Sequence, residues 1–301
     1  MRSGNKTLSG LCERLVGTQR EVSRMSQEKP TKEIQCESCG NTFLGEATVS
    51  MLGSRPREWW PWECPTCEEK HKLEVQRAHQ EYLVQARPEQ RKLWRQRSGV
   101  PDGLINRTFA NFEPGCQDKA LKICRKYAEG FKVEEPQGYR SLILYSPSPG
   151  VGKTHLMVAI ANFIFDHWEG EPNQIYKPIC FQSGPGLVRR VRATYNLSRD
   201  ESKHEREMDV YDDLRGVCLL MLDDVGKEKP SDFTRELYWY VINERVASNL
   251  PVVMTCRLPL EGNESLVELM GVDTVDRLYG MARGHIEILE GASYRKRHQV
   301  A

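Results

Sequence analysis

The chain has 301 residues and a formal net charge of +1; hydrophobic residues make up 39% of it and charged residues 28%. This length allows one sizeable core plus a smaller module, and near-neutral charge means that any nucleic-acid surface has to be a local patch. The sequence contains neither an apolar run of membrane-spanning length nor an N-terminal secretory signal, so we expect a cytoplasmic protein without a membrane partner.

Three successive segments are predicted in the first third of the chain. Residues 1–33 are polar and lack a clear period, as expected for a flexible tail. Residues 34–70 contain four cysteines and form a predicted zinc-binding module. Residues 71–99 are rich in Glu, Gln, Lys and Arg, which predicts a charged helical linker, broken near Pro88.

Two cysteine pairs, Cys36-x-x-Cys39 and Cys64-x-x-Cys67, have the pattern of a metal site and are separated by the 24 residues 40–63. Each pair is able to present two thiolates to one ion from a tight turn, and four soft ligands favour structural Zn²⁺. Redox-active pairs are the alternative, although two separate motifs are redundant for that purpose. A disulfide framework is not expected in a reducing compartment.

Three tryptophans, Trp59, Trp60 and Trp62, lie between the two cysteine pairs. Large aromatic side chains anchor protein partners, stack on bases or form the core of a very small domain. The sequence leaves these three interpretations open.

From residue 100 to residue 301 the pattern changes to apolar runs separated by helices. An amphipathic helix ends near Gly130, another follows Thr154, and a third covers 233–247, whereas the charged segment 199–213 is expected to be a loop. Buried strands are predicted at 142–145, 179–181, 217–222, 252–255 and 286–289. Such runs between helices indicate an α/β fold with a parallel sheet covered on both faces.

A phosphate-binding loop is predicted between the first of these strands and the next helix. The sequence SPSPGVGKT at 146–154 matches the G-x-x-x-x-G-K-[ST] pattern except that Pro147 replaces the first glycine. Backbone N–H groups and the helix N-terminus cradle phosphates in such a loop, Lys153 neutralises the β- and γ-phosphates, and Thr154 ligates Mg²⁺. Because proline fixes φ and lacks an N–H, the start of this loop has to differ from that of a loop with glycine at this position. The residues expected to bind ATP are Pro149, Gly150, Val151, Gly152, Lys153, Thr154 and His155.

Two acids, Asp223 and Asp224, follow the most apolar of the predicted strands. Ligands of open α/β sheets bind at the carboxyl ends of strands, beside the phosphate loop. Neighbouring side chains of a strand point to opposite sides, so the two acids have different roles. Asp223 is expected to hold Mg²⁺ and Asp224 to orient the attacking water; a solvated turn before Gly226 is the alternative.

Several further motifs resemble those of one protein family, the DnaC/DnaI-type helicase loaders, and are similar to those of the related IstB-type transposition ATPases of the AAA+ class. They are RTFANF at 107–112, LLMLDDVG at 219–226, EKPS at 228–231, INER at 242–245 and GASYR at 291–295. The resemblance covers about residue 100 to the end. It implies an AAA+ core with a five-stranded parallel sheet between helices and without a C-terminal lid.

The same resemblance assigns two further catalytic residues. Thr255 falls where the family places a polar sensor of the γ-phosphate, although Arg257 stands where an asparagine is usual. Arg277 falls at the position of an arginine finger, which reaches the γ-phosphate of a neighbouring subunit. The alternative for Arg277 is an ordinary arginine on a helix surface.

A basic helix is predicted at 187–195, and in the family this region lines the inside of an assembled spiral. Single-stranded DNA contacts are expected from Arg189, Arg190, Arg192 and Tyr195. A solvated helix face is the alternative interpretation.

The leading hypothesis is an ATP-dependent helicase loader that uses ATP, Mg²⁺ and Zn²⁺. Its partners are a DnaB-type replicative helicase, single-stranded DNA and further copies of the chain. Hydrolysis is expected to be slow, stimulated by DNA or the partner, and to release the helicase. The alternatives are a transposition regulator that binds duplex DNA and recruits a transposase, and a zinc adaptor that binds nucleotide without turnover.

Overall fold

The computed structural model describes residues 29–52, 55–113, 115, 117–195 and 206–297. Most of the predicted N-terminal tail therefore lies outside the described residues. The chain divides into two compact units, Met1–Glu81 and Tyr82–Ala301. The domain limits that the composition suggests stay a prediction.

Two antiparallel hairpins and the beginning of a long helix form the first unit. Strand β1 (Thr31–Gln35) pairs with β2 (Thr42–Glu46), and β3 (Thr48–Leu52) pairs with β4 (Arg55–Trp59). Helix α1 (Pro65–Arg97) begins at the second cysteine pair.

The tryptophans of this unit are not a buried core. Trp59 and Trp62 are 55% and 53% exposed. Trp60 is half-buried, and the Lys32 ammonium lies 4.1 Å from the centre of its ring. Core formation is therefore excluded for Trp59 and Trp62, whereas partner binding and base stacking stay open.

Helix α1 continues through Pro88, so the predicted break is wrong. A proline inside a helix costs about 3 kcal/mol because one backbone hydrogen bond is lost and the ring crowds the preceding turn. Tertiary contacts of the second unit offset this cost. Arg87 and Arg91 donate to backbone carbonyls of 168–170, and Trp94 is buried against that turn.

A short 3-10 helix at Asp102–Leu104 precedes the alternating elements of the second unit. In chain order these are α2 (Asp118–Gly130), β5 (Leu142–Tyr145), α3 (Lys153–Asp166), β6 (Ile179–Ser183), α4 (Gly184–Thr194), α5 (Glu207–Arg215), β7 (Leu219–Val225), α6 (Asp232–Ala247), β8 (Val252–Cys256), α7 (Leu266–Met270), α8 (Val272–Ala282), β9 (Ile286–Ile288) and α9 (Tyr294–Arg297).

Helix α5 occupies part of the segment that was expected to be a loop; the rest of that segment, up to residue 205, lies outside the described residues. Val210 and Leu214, four residues apart, are both buried on one face of this helix. High charge density on the other positions conceals this short apolar stripe in the sequence.

The five strands of the second unit form one parallel sheet in the order β6-β7-β8-β5-β9. Helices on both faces bury it, which confirms the predicted five-stranded parallel sheet between helices. Because the strands are parallel, the phosphate loop after β5 and the acids at the end of β7 meet at one edge. No helix in the described part of the chain has the length and apolar character needed to cross a lipid bilayer.

A fully buried arginine, Arg245 near the end of α6, joins several of these elements. Its guanidinium donates to the backbone carbonyls of Leu214, Arg215, Val217, Cys218 and Pro251. Burial lowers the pKa of Arg245 to about 10, so the group stays charged at neutral pH. Carbonyl dipoles thus stabilise this cation and connect α5, β7 and β8 to α6.

We expect Arg245→Leu to lower the free energy of unfolding by at least about 3 kcal/mol, because several buried carbonyls lose their donor together. Urea unfolding of the full chain measures the effect. The exposed Glu236 on the same helix supplies a control, and Glu236→Ala is expected to change stability by less than about 0.5 kcal/mol. Equal stability of the two variants would contradict a connecting role for Arg245.

Candidate functional site

The four cysteines of the first unit converge on one point. The Sγ atoms of Cys36, Cys39, Cys64 and Cys67 all lie within 4.8 Å of one another, and those of Cys39 and Cys64 are 3.8 Å apart. Zn–S bonds of ~2.3 Å in a tetrahedron place the sulfurs about 3.8 Å from each other. The geometry and the thiolate donor set therefore fit a structural zinc ion.

Local backbone supports this cysteine cluster. Cys36 directly follows β1, and its carbonyl accepts the N–H of Gly40 in a tight turn. The N–H of Cys64 donates to Cys36 Sγ at 3.2 Å and is the main reason that the pKa of Cys36 is lowered to about 6. A thiolate is the form that binds metal, so this contact favours ligation.

The backbone of the phosphate loop takes left-handed conformations at two of its glycines. Gly150 and Gly152 have φ of 73° and 101°, and Gly152 is the residue that precedes α3. These left-handed conformations disfavour any residue with a Cβ. At the start of the loop, where Pro147 replaces a glycine, the Ser146 hydroxyl accepts the N–H of Ser148 at 3.2 Å and closes the turn.

The Lys153 side chain folds onto this loop. Its ammonium donates to the carbonyls of Ser146 and Ser148 at 3.1 and 3.2 Å. Burial, followed by the charge of Arg257, lowers the pKa of Lys153. A buried ammonium that is held only by carbonyls suits a site for an anionic ligand.

The first acid, Asp223, is buried between two threonines. Its Oδ1 atom accepts hydrogen bonds from the hydroxyls of Thr154, at 2.8 Å, and Thr255, at 2.7 Å. Burial raises the pKa of Asp223, and these two hydrogen bonds oppose that rise. Thr154 and Asp223 thus bring two oxygen atoms together beside the loop, and hard oxygen ligands of this kind fit Mg²⁺.

The second acid, Asp224, takes a left-handed conformation with φ of 53° and turns its carboxylate toward Lys227, with which it forms a close ion pair. Its backbone N–H donates to the Thr255 hydroxyl at 2.8 Å. Thr255 is fully buried behind the two acids and does not line the cleft. Thr255 holds the two acids in position, because its hydroxyl donates to Asp223 and accepts from the Asp224 N–H. Its role as a sensor of the γ-phosphate stays a prediction.

These groups surround a cleft with a volume of about 400 Å³. All seven residues that are predicted to bind ATP, Pro149 to His155, line it together with Asp223 and Asp224. Its charged groups are five cations and three carboxylates, so positive charge is in excess. They are Arg107, Lys153, Lys227, Arg257, Arg295, Glu113, Asp223 and Asp224.

Some cleft residues were not predicted from the sequence, among them Asn111, Phe112, Lys227 and Tyr294. They come from the segment before α2, from the turn after β7 and from the segment after β9. Tyr294, for example, donates its N–H to the Gly150 carbonyl at 2.9 Å. The family motifs at 107–112 and 291–295 signalled two of these segments, and neither motif has a chemical pattern that indicates phosphate binding. Lys227 lies between the motifs at 219–226 and 228–231.

His155 stabilises the packing of α3 against the segment before α2. Its Nε2 atom lies 2.9 Å from the Thr108 carbonyl and 3.1 Å from Asn111 Oδ1, and burial lowers its pKa. The ring also packs edge-on against Phe112. His155 thus connects α3 to the segment before α2.

Arg277 is half-buried on α8 and contacts the carbonyl of Asp273 in its own helix at 3.4 Å. It does not line the cleft of its own chain. A role as an arginine finger therefore requires a second copy of the chain and stays a prediction.

The predicted DNA-binding residues lie on α4 and at its C-terminal end, and Arg189, Arg192 and Tyr195 are exposed. The Arg192 guanidinium lies 5.0 Å from the centre of the Phe233 ring, and Tyr195 donates its hydroxyl to Glu207 at 2.8 Å. Arg190 is half-buried and pairs with Asp213 at 3.0 Å. Binding of DNA by these residues stays a prediction.

The family model for the IstB-like ATP binding protein matches residues 133–301. The chain is 28% identical over 184 residues to the replicative helicase loader DnaC of Buchnera aphidicola subsp. Acyrthosiphon pisum (strain APS), a match that spans 60% of this chain and 67% of the relative. It is 26% identical over 184 residues to the DnaC loader of Escherichia coli (strain K12), spanning 60% and 66%. The solved structure of a DnaC helicase loader aligns with a TM-score of 0.47 at 27% identity and covers 63% of this chain and 98% of that one.

The cysteine geometry predicts about one zinc ion per chain in freshly purified protein, measured by mass spectrometry of the metal content. Cys39→Ser is expected to reduce zinc to well below half of that amount because it removes one of four ligands. Cys218, which lies outside the cluster, is the matched control, and Cys218→Ser should retain the full amount. Unchanged zinc in the Cys39 variant would contradict the site.

The raised pKa of Asp223 predicts that Asp223→Asn stabilises the ligand-free protein at pH 8. A carboxyl whose pKa is higher in the folded state favours folding when protonated, so its charged form destabilises the fold above that pKa. The gain in melting temperature should therefore vanish as the pH falls to 3.8, the ordinary pKa, and below. The exposed Asp276→Asn is the control, and a gain at pH 8 that persists at pH 3.5 would argue against this origin.

Proposed function

The chain belongs to the IstB-like ATP-binding protein family, and from that premise we propose that it is an ATP-dependent loader of a replicative helicase. The observation that carries the proposal is its 26–28% identity to DnaC helicase loaders over 184 residues. That match covers 60% of this chain, so it includes more than an isolated motif. The proposed place of action is the cytoplasm.

The cleft supports nucleotide binding by its charge and its shape. An excess of positive charge beside a glycine-containing loop and the start of α3 favours a polyphosphate. In the proposed ATPase, Lys153 contacts the β- and γ-phosphates, and Thr154 and Asp223 hold Mg²⁺, whose charge stabilises the phosphoryl oxygens. Asp224 orients the attacking water.

The ion pair between Asp224 and Lys227 suits slow basal turnover. A carboxylate that is engaged by an ammonium is a weaker acceptor for a water molecule. DNA or the helicase is proposed to accelerate hydrolysis, and hydrolysis to release the partner. Arg277 completes the site from a neighbouring copy in an ATP-dependent oligomer.

Single-stranded DNA is proposed to bind α4 through its exposed arginines, Arg189 and Arg192. Tyr195, which is 57% exposed, adds a stacking surface at the end of the same helix. Arg190 stabilises the position of this helix through an ion pair with Asp213. Asp213 also pairs with Lys177 at 2.6 Å.

The cysteine module is proposed to contact the helicase. Zinc closes its coordination with four thiolates, so the ion has a structural role. Trp59 and Trp62 are among the large apolar side chains that this module exposes, and tryptophans often dominate the energetics of protein interfaces.

A second function is a transposition regulator that recruits a transposase on duplex DNA. The match to an IstB-like family supports it, because the motifs also resemble those of IstB-type transposition ATPases. The third possibility is a zinc adaptor that binds nucleotide without turnover. Pro147 in the phosphate loop and Arg257 in the cleft are the departures that favour it. The identity of the bound partner distinguishes the helicase loader from the transposition regulator. Turnover of Mg-ATP distinguishes both of these from the adaptor, which is expected to show none.

A pull-down from the native host tests the loader directly. The tagged full chain is expected to retain a hexameric replicative helicase when ATP is present, and to retain several-fold less without it. Lys153→Ala should lose the ATP dependence, whereas Arg277→Ala should keep the helicase bound, because binding is intact and hydrolysis is impaired. Mass spectrometry identifies the retained proteins.

Recovery of a transposase in place of the helicase would overturn the loader in favour of the transposition regulator. Tight nucleotide binding without turnover, even with single-stranded DNA and the helicase added, would instead favour the adaptor.

A further inference from the structure

The turn that carries the second acid, residues 224–228, has a backbone that needs support from its surroundings. Asp224 and Gly226 have φ of 53° and 100°, so two of its residues are left-handed. A left-handed residue with a Cβ persists only where neighbouring contacts hold it. Gly226 has no room for a side chain, because a Cβ there would lie 2.7 Å from Leu258 Cγ. The position of Asp224 therefore depends on the contacts of this turn, which we call the acidic turn.

The Glu228 carboxylate supplies such contacts with both of its oxygens. Its Oε2 atom accepts the Gly226 N–H at 2.7 Å and closes the acidic turn. Its Oε1 atom accepts the hydroxyl of Tyr238 on α6 in a close hydrogen bond. Tyr238 is fully buried, and burial followed by the charge of Glu228 raises its pKa, so the hydroxyl stays protonated and able to donate. Glu228 thus connects the acidic turn to a fixed point in the core.

The same carboxylate packs against Gly184, the first residue of α4. A Cβ on Gly184 would lie 1.8 Å from Glu228 Oε1, so a residue without a side chain is needed to leave room for the carboxylate. The positive end of the helix dipole lies at this point and favours a negative charge. The residue before Gly184, Ser183, lies opposite Asp223 across β6 and β7. A shift at the start of α4 would therefore displace the Glu228 carboxylate, because no gap separates them.

Helix α4 also carries the arginines that are proposed to bind DNA. Arg189 and Arg192 follow Gly184 on this helix, about 7.5 and 12 Å further along its axis. A helix moves as a rigid element, so a force on these arginines reaches its first residue. Contacts then run without interruption from α4 through Gly184 and Glu228 to the acidic turn.

We propose that Glu228 is a positioning residue that holds the acidic turn in a resting form, and that DNA bound along α4 releases the turn by displacing this carboxylate. This inference rests on the proposed function, because it requires ATP hydrolysis and DNA binding by this chain. In the resting form the Asp224 carboxylate is paired with Lys227. Glu228 does not line the cleft, so it acts through Asp224 and does not contact the nucleotide.

Steady-state ATPase assays of the full chain, with and without single-stranded oligothymidylate, test this role. Glu228→Ala is expected to raise kcat without DNA at least about twofold and to lower the stimulation by DNA at least about twofold. KM should change less than about twofold, because the cleft is intact. Gly184→Ala should act in the same way, since the added methyl group displaces the carboxylate. Glu129→Ala, exposed on α2, is the matched control and should change none of these values.

The double variant shows whether the two residues act through one contact. Once Glu228 is alanine, Gly184→Ala should change kcat less than it does in the wild-type chain. DNA affinity, measured by fluorescence anisotropy, should stay within about twofold in each variant, because Arg189 and Arg192 are untouched. Melting curves check folding; if Glu228→Ala does not fold, Gly184→Ala, which keeps every hydrogen-bonding group, decides the question.

A purely structural role for Glu228 predicts a lower melting temperature and a kcat without DNA that is unchanged or lower. That rate in the folded variants overturns the inference, and so does stimulation by DNA equal to the wild-type value. A wild-type chain that hydrolyses ATP without acceleration by DNA also overturns the inference alone. A wild-type chain that neither binds nor hydrolyses Mg-ATP overturns the proposed function and this inference with it.

Discussion

The nucleotide cleft depends on one carboxylate oxygen, Oδ1 of Asp223, which accepts hydrogen bonds from two hydroxyls on different elements. Thr154 comes from the first turn of α3 and Thr255 from β8, while Asp223 itself ends the apolar run of β7. Displacement of α3 or of β8 would remove one of the two donors to this buried carboxylate, and that loss costs free energy. The phosphate loop and the acidic strand are therefore held in register before any ligand binds.

Charge in the second unit is compensated in two different ways. Arg245 lies in the core and is surrounded by carbonyl dipoles, so its charge contributes to the fold. At the cleft the carboxylates are already engaged: Asp223 by hydroxyls, Asp224 by Lys227 and Glu113 by the Tyr294 hydroxyl. Lys153 is held there by two carbonyls and forms no ion pair among the described residues. Its charge is therefore available to an anionic ligand, as is typical of binding sites.

The strands, the phosphate loop and the acids could be predicted because each depends on a short pattern in the sequence. Apolar runs located the five strands, and their parallel order brought the loop and the acids to one edge. The continuation of α1 through Pro88 depends on contacts with residues 168–170, about eighty positions along the chain. The contacts of the Thr255 hydroxyl with the two acids were likewise not predictable, because a strand end does not reveal which neighbours its side chain meets. Tertiary contacts of this kind have no signature in a single sequence.

The loop, Lys153 and the two acids lie in one chain, whereas Arg277 on α8 lies outside the cleft of its own chain. A single chain therefore contains the groups that are proposed to bind the nucleotide and Mg²⁺. In the proposed oligomer, Arg277 of a neighbouring copy is needed for hydrolysis and not for binding. Such an order lets each subunit bind ATP and a helicase first, and delays turnover until a second subunit is in place.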